Sequence, residues 1–165
     1  MTSNARELAQ IPSTPSGRRN IVINGAMQVA QRGTSETGIG VSDGYFTVDR
    51  FHINVASSSA NAGRLTMTQE SDAPSVAGLT KSVKLACTTA DTSIGSTEFF
   101  ILEHKIEGQD VQRLSKGTSD AKELTVSFYV KSSSNITFVA ELLDITNTRT
   151  VSKSFNVTTD WTRVE

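Results

Sequence analysis

A chain of 165 residues, 36% hydrophobic and 20% charged, has room for one sizeable core and not comfortably for two. A formal net charge of -1, with no long basic run, leaves no electrostatic footprint for a phosphate backbone or an anionic membrane. No stretch reaches the roughly 20 apolar residues of a spanning helix, and Met1-Thr2-Ser3-Asn4 does not open like a signal peptide, so neither nucleic acid nor membrane insertion is expected.

Residues 1–19, ending Ile11-Pro12-Ser13-Thr14-Pro15-Ser16-Gly17-Arg18-Arg19, carry no strand or helix periodicity beyond a turn at Ala5 to Gln10. They read as an extended arm, ordered only by lying on a partner, with Ile11, Pro12, Arg18 and Arg19 as the docking side chains. From Asn20 the chain changes to short runs of Val, Ile, Phe and Thr between Gly, Ser, Asn and Asp clusters, which predicts strands and turns. Ile21 to Val29, Phe46 to Val55, Arg64 to Gln69, Ser82 to Thr88 and Glu98 to Ile106 are the first candidates. The inward face changes parity between Val48 and Phe51, which calls for a bulge or bend. Gly38-Ile39-Gly40 reads as a loop. Val83, Leu85 and Cys87 share a face, so the single cysteine is expected in the core.

Asp110 to Lys116 predicts one short helix, capped by Asp110 and ended by Gly117. Leu124 to Lys131 alternates cleanly, with Leu124, Val126, Phe128 and Val130 inward. Ile136, Phe138, Ala140 and Leu142 continue an inward face after the turn at Ser132 to Asn135. Val151, Phe155 and Val157 form the next strand, with Lys153 as a polar intruder, and Trp161 to Val164 open another that reads as unfinished. About nine alternating strands predict an all-β fold: an antiparallel two-sheet jelly-roll sandwich over residues 20–165, incomplete at its C-terminal end.

Catalytic signatures do not emerge. His52 and His104 have no partners at metal-ligand spacing beyond Glu103, and no nucleophile elbow, Walker loop or dinucleotide fingerprint is present. His104, in line with Phe100, Leu102 and Ile106, reads as a half-buried, hydrogen-bonded ring. Asp49-Arg50, set among apolar neighbours, reads as an ion-pair or hydrogen-bond clamp, with a structural calcium at Asp49 as the lesser alternative. No other cofactor is expected. Tyr129, then Tyr45 and Trp161, are the rings most suited to a sugar face, although outward rings on sheets also pack between subunits. The amides of Asn24, Gln28 and Gln31, with Gly25 and Gly33, suit a segment pinned against another element.

The run Asn20-Ile21-Val22-Ile23-Asn24-Gly25-Ala26-Met27-Gln28-Val29-Ala30-Gln31-Arg32-Gly33 resembles the opening of a module found in phage tail-fibre and other virion-appendage proteins. The resemblance continues through Tyr45 to Phe51, Ala86 to Asp91, Ile106 to Val111 and Leu124 to Ser133. It implies a jelly-roll, carbohydrate-binding-module-like domain at the N-terminal end of a tail fibre. It also implies a homotrimer located in the virion and assembled in the host cytoplasm, whose arm attaches to a tail or neck protein. Host-surface glycan is a further partner on this reading, and no catalysis is expected. The alternative is a carbohydrate-binding module of a secreted adhesin or glycan-active enzyme.

Overall fold

A computed structural model describes residues 20–56 and 63–165. The arm, with Ile11, Pro12, Arg18 and Arg19, lies outside the described residues. Among the described residues the chain is mostly β: β1 (Ser35–Ile39), β2 (Phe51–Ala56), β3 (Arg64–Glu70), β4 (Ser82–Thr89), β5 (Phe99–His104), a short helix α1 (Gly108–Val111), β6 (Phe128–Val130), β7 (Ile136–Asp144), β8 (Arg149–Val157) and β9 (Thr162–Val164). Every pairing between strands is antiparallel. The strands form one three-stranded sheet in the order β1-β3-β4 and three ribbons, β2-β5, β6-β9 and β7-β8.

The core lies between the three-stranded sheet and the β2-β5 ribbon. Ile39 of β1, Met67 of β3, and Phe51 and Ile53 of β2 are buried together with Val48, and Val22, Met27, Phe46, Val83, Leu85 and Leu102 pack around them. The period of two places Phe51 and Ile53 inward while His52 and Asn54 point away. The parity change before β2 is a corner at Arg50, whose φ of 74° puts both Val48 and Phe51 on the buried side.

Several expectations give way here. Ile21 to Val29 is a turn and not a strand: Asn24 and Met27 have φ of 59° and 56°, and the Met27 amide donates to the Asn24 carbonyl at 2.9 Å. The amide side chains compete with a ladder for the backbone groups, and the apolar run before Asn24 is short. Gly38 and Ile39 belong to β1, a strand of mostly polar residues whose one buried side chain is Ile39. Gly40, at φ 144°, turns the chain so tightly that a Cβ there would run into the carbonyl of Gly63.

Cys87 is exposed, because the face shared by Val83 and Leu85 runs off the covered end of β4 at that point. Its thiol lines a cavity of about 210 Å³ with Val55, Leu65, Phe99 and Phe100. The helix begins two residues earlier than its composition suggests. Glu107 occupies the N-cap without a side-chain bond, Asp110 lies inside the first turn, and a 3₁₀ turn (Gln112–Leu114) ends at Ser115 in the left-handed region, ahead of Gly117. Of Leu124 to Lys131 only Phe128–Val130 joins a ladder, since β9 offers three residues to pair with, and Leu124 and Val126 remain exposed.

Candidate interaction surface

The run from Asn20 to Gly33 is clasped onto the corner before β2 and onto β3. Asn24 Nδ2 donates to the carbonyls of Val29 and Asp49, both at 2.9 Å, and Asn24 Oδ1 accepts from the Val29 amide at 3.0 Å. The Asp49 amide returns a bond to the Val29 carbonyl, and Gln69 Nε2 on β3 donates to the carbonyls of Met27 and Gln28. Upstream, the His104 ring meets the Ile23 backbone through Nε2 and packs edge-on against Phe51, as a half-buried histidine. The element against which residues 20–33 are pinned is therefore the same domain. A cleft of about 540 Å³ lies beside it, lined by Asn20, Ile21, Ile23 and the start of the helical segment.

Asp49 and Arg50 do not pair with each other. Asp49 Oδ1 accepts from the Gln31 amide and from Arg32, both at 3.3 Å, while Arg50 reaches Glu107 at 3.6 Å. Among the described residues no group of three or more His, Cys, Asp or Glu side chains converges. His52 Nδ1 lies 2.7 Å from Glu103 across the β2-β5 ribbon, and Lys105 lies 3.2 Å from the same carboxylate oxygen.

The three candidate rings separate by environment. Tyr45 carries the Arg32 guanidinium 5.5 Å from its centroid and the edge of His52 at 4.8 Å, so its ring is engaged on its own surface. Trp161 is also engaged: Lys131 lies 5.3 Å from its ring centroid, and its indole N–H donates to Asp72 Oδ1 at 3.0 Å. Lys131 donates to the other oxygen of Asp72. The hydrogen bonds from Lys131 and then Trp161 hold the Asp72 carboxyl below its usual range. This joint ties the loop after β3 to β6 and β9. Tyr129, half-buried in β6, stands opposite Arg163 of β9.

The feature not foreseen is how much apolar surface the C-terminal ribbon shows. In β7-β8, Ile136, Phe138, Ala140 and Leu142 share a face with Val151, Lys153, Phe155 and Val157. At its base the β8 strand is covered: Val157 is fully buried, and Phe155 meets the edge of Phe128 at 5.4 Å between centroids. The rest of this face is open, with Ile136 45%, Phe138 44%, Leu142 42% and Val151 74% exposed. The opposite face shows Val139 at 65% and Leu143 at 52%. The turn is closed by Asp144, which accepts from the Thr146 and Asn147 amides and from Asn147 Nδ2; the Asn147 side-chain bond leads in lowering the Asp144 pKa. Among the described residues no further strand pairs with either edge of this ribbon.

Among the described residues no helix is long and apolar enough to cross a membrane. No protein-family model, curated protein or solved structure matches the chain.

Proposed function

We propose that this chain is a structural protein of a bacteriophage particle: the N-terminal part of a tail fibre, joined to the tail or neck through residues 1–19 and supporting adhesion to the host surface without catalysis. On this reading its antiparallel sheets are parts of a jelly-roll sandwich. Three copies assemble in the host cytoplasm and act in the virion. The observation that carries the reading is the run from Asn20 to Gly33, which resembles the appendage modules and has a defined structural task here. It is clasped by Asn24 and Gln69, so the chain leaves a rigid body at Asn20 and an arm can engage a partner without loosening the core.

Engagement of Tyr45 and Trp161 by neighbouring side chains favours rings that pack over rings that wait for sugar. Deleting residues 1–19 is expected to leave the circular dichroism and melting curve unchanged while abolishing incorporation into particles. Incorporation at the full-length level would refute the docking role. A specific hit on a glycan array would favour the carbohydrate-binding alternative.

A further inference from the structure

The one Asn-Gly pair of the sequence, Asn24-Gly25, sits at the centre of the clasp. An asparagine followed by glycine can close on itself. The Gly25 backbone nitrogen attacks Asn24 Cγ, its proton passes to solvent, and ammonia leaves from Nδ2. Water then opens the cyclic imide, at Cγ to give aspartate or at the backbone carbonyl to give isoaspartate, in which the main chain runs through Cγ. Glycine favours the closure because it has no Cβ to hinder the nitrogen and leaves the backbone free to turn. Gly25 is exposed, so water and base reach its amide. The carboxamide is committed elsewhere: Nδ2, the nitrogen that must leave, donates to the Val29 and Asp49 carbonyls, and Oδ1 accepts from the Val29 amide. Attack at Cγ turns that flat group tetrahedral and pulls Nδ2 off both acceptors.

We propose that Asn24-Gly25 is a deamidation site that the clasp holds shut, and that release of residues 20–33 commits the chain to modification there. Either product disables the clasp. Aspartate keeps an acceptor for the Val29 amide but sets a charged oxygen against the two carbonyls that Nδ2 served. Isoaspartate turns the Asn24 carbonyl, which accepts from the Met27 amide at 2.9 Å, into a free carboxylate and lengthens the main chain by one carbon. A run that has opened and cyclised therefore does not re-form, and opening at this end of the module becomes one-way. The inference is independent of any role in a particle. The structure also separates the chemistry from the clasp. Gly25 has no left-handed φ, and a Cβ there would meet Asn20 Nδ2 and Val22 Cγ1 at 3.4 Å, an ordinary contact, so alanine fits the folded run while hindering closure.

The test is peptide mapping by mass spectrometry of the full chain held at mildly alkaline pH, in buffer and in denaturing urea. Trypsin releases residues 20–32, and fragmentation places the new acid at position 24. In urea, Asn24 is expected to convert well ahead of Asn135 and Asn147, which precede isoleucine and threonine; conversion no faster than theirs would overturn the site. In buffer, conversion should be about tenfold slower or more, the suppression expected when three hydrogen bonds of ordinary net strength must be given up. Equal rates in buffer and urea would overturn the lock. Gln69→Ala removes the bonds to Met27 and Gln28 and leaves the reacting pair intact, so it should raise the rate in buffer, with circular dichroism reporting that the fold persists. Gly25→Ala should bring the rate in urea down to that of the other asparagines. Chain refolded after conversion should melt below fresh chain in step with the converted fraction, and full recovery would overturn the claim that modification disables the clasp.

Discussion

Replacing Asn24 by alanine removes the clasp at its centre. The side chain makes three hydrogen bonds to backbone, to Val29 N–H, Val29 C=O and Asp49 C=O. At about 0.5–1.5 kcal/mol net for each bond, the loss is roughly 1.5–4.5 kcal/mol. Alanine must also hold the φ of 59° that Asn24 adopts, which costs about another 1–2 kcal/mol. Water reaches this half-buried site and replaces part of the lost bonding, so about 3 kcal/mol is the expected total for Asn24→Ala. Asn24→Gly loses the same bonds but tolerates the positive φ, and should therefore be less destabilising than alanine by about 1 kcal/mol. Urea unfolding followed by far-ultraviolet circular dichroism measures both. A change below about 0.5 kcal/mol for alanine, the size of an ordinary surface substitution, would refute the claim that the run from Asn20 to Gly33 is held by this side chain.

Gly40→Ala meets a positive φ and the Gly63 carbonyl at once, and should lower stability by about 2 kcal/mol or more in the same assay; an unchanged midpoint would show that the β1 corner relaxes freely. Asp72 has a carboxyl pKa lowered by its bonds from Lys131 and Trp161, so its charged form stabilises the fold above the ordinary carboxylate range, and that contribution is lost as pH falls through and below that range. Asp72→Asn should accordingly melt below the unaltered chain at neutral pH and converge with it in acid; equal melting temperatures at every pH would remove the joint from the account.

Much of the strand content was legible because period-two alternation is a local property. β3, β4, β5, β7 and β8 fall within a few residues of their expected bounds, and the corner before β2 announced itself as a change of parity from Val48 to Phe51. β1 was not legible, because Ser35–Ile39 holds a single apolar anchor and takes its strand form from β3 beside it. The opposite error arose at Ile21 to Val29, where apolar residues suggested a ladder and the Asn24 amide took the backbone groups instead. Cys87 shows the limit of the pattern itself: alternation gives the face, and only the neighbouring strands decide how far along that face is covered.

The environments of the candidate rings were invisible for a related reason. Arg32 and Tyr45, or Asp72 and Trp161, are brought together by long-range topology, and nothing in their spacing announces it. The polar intruder Lys153 was visible in the sequence. Its surroundings were not: the register sets it against Ala140, on the face of Leu142 and Val151.

The proposed place of this chain in a phage particle can be tested directly. If the proposed function holds, antibody against residues 20–165, applied to purified phage particles from cells producing the chain and viewed by electron microscopy, should label tail appendages near their attachment to the tail or neck. Unlabelled particles from a preparation in which the infected cells contain the chain would contradict the structural role at its root.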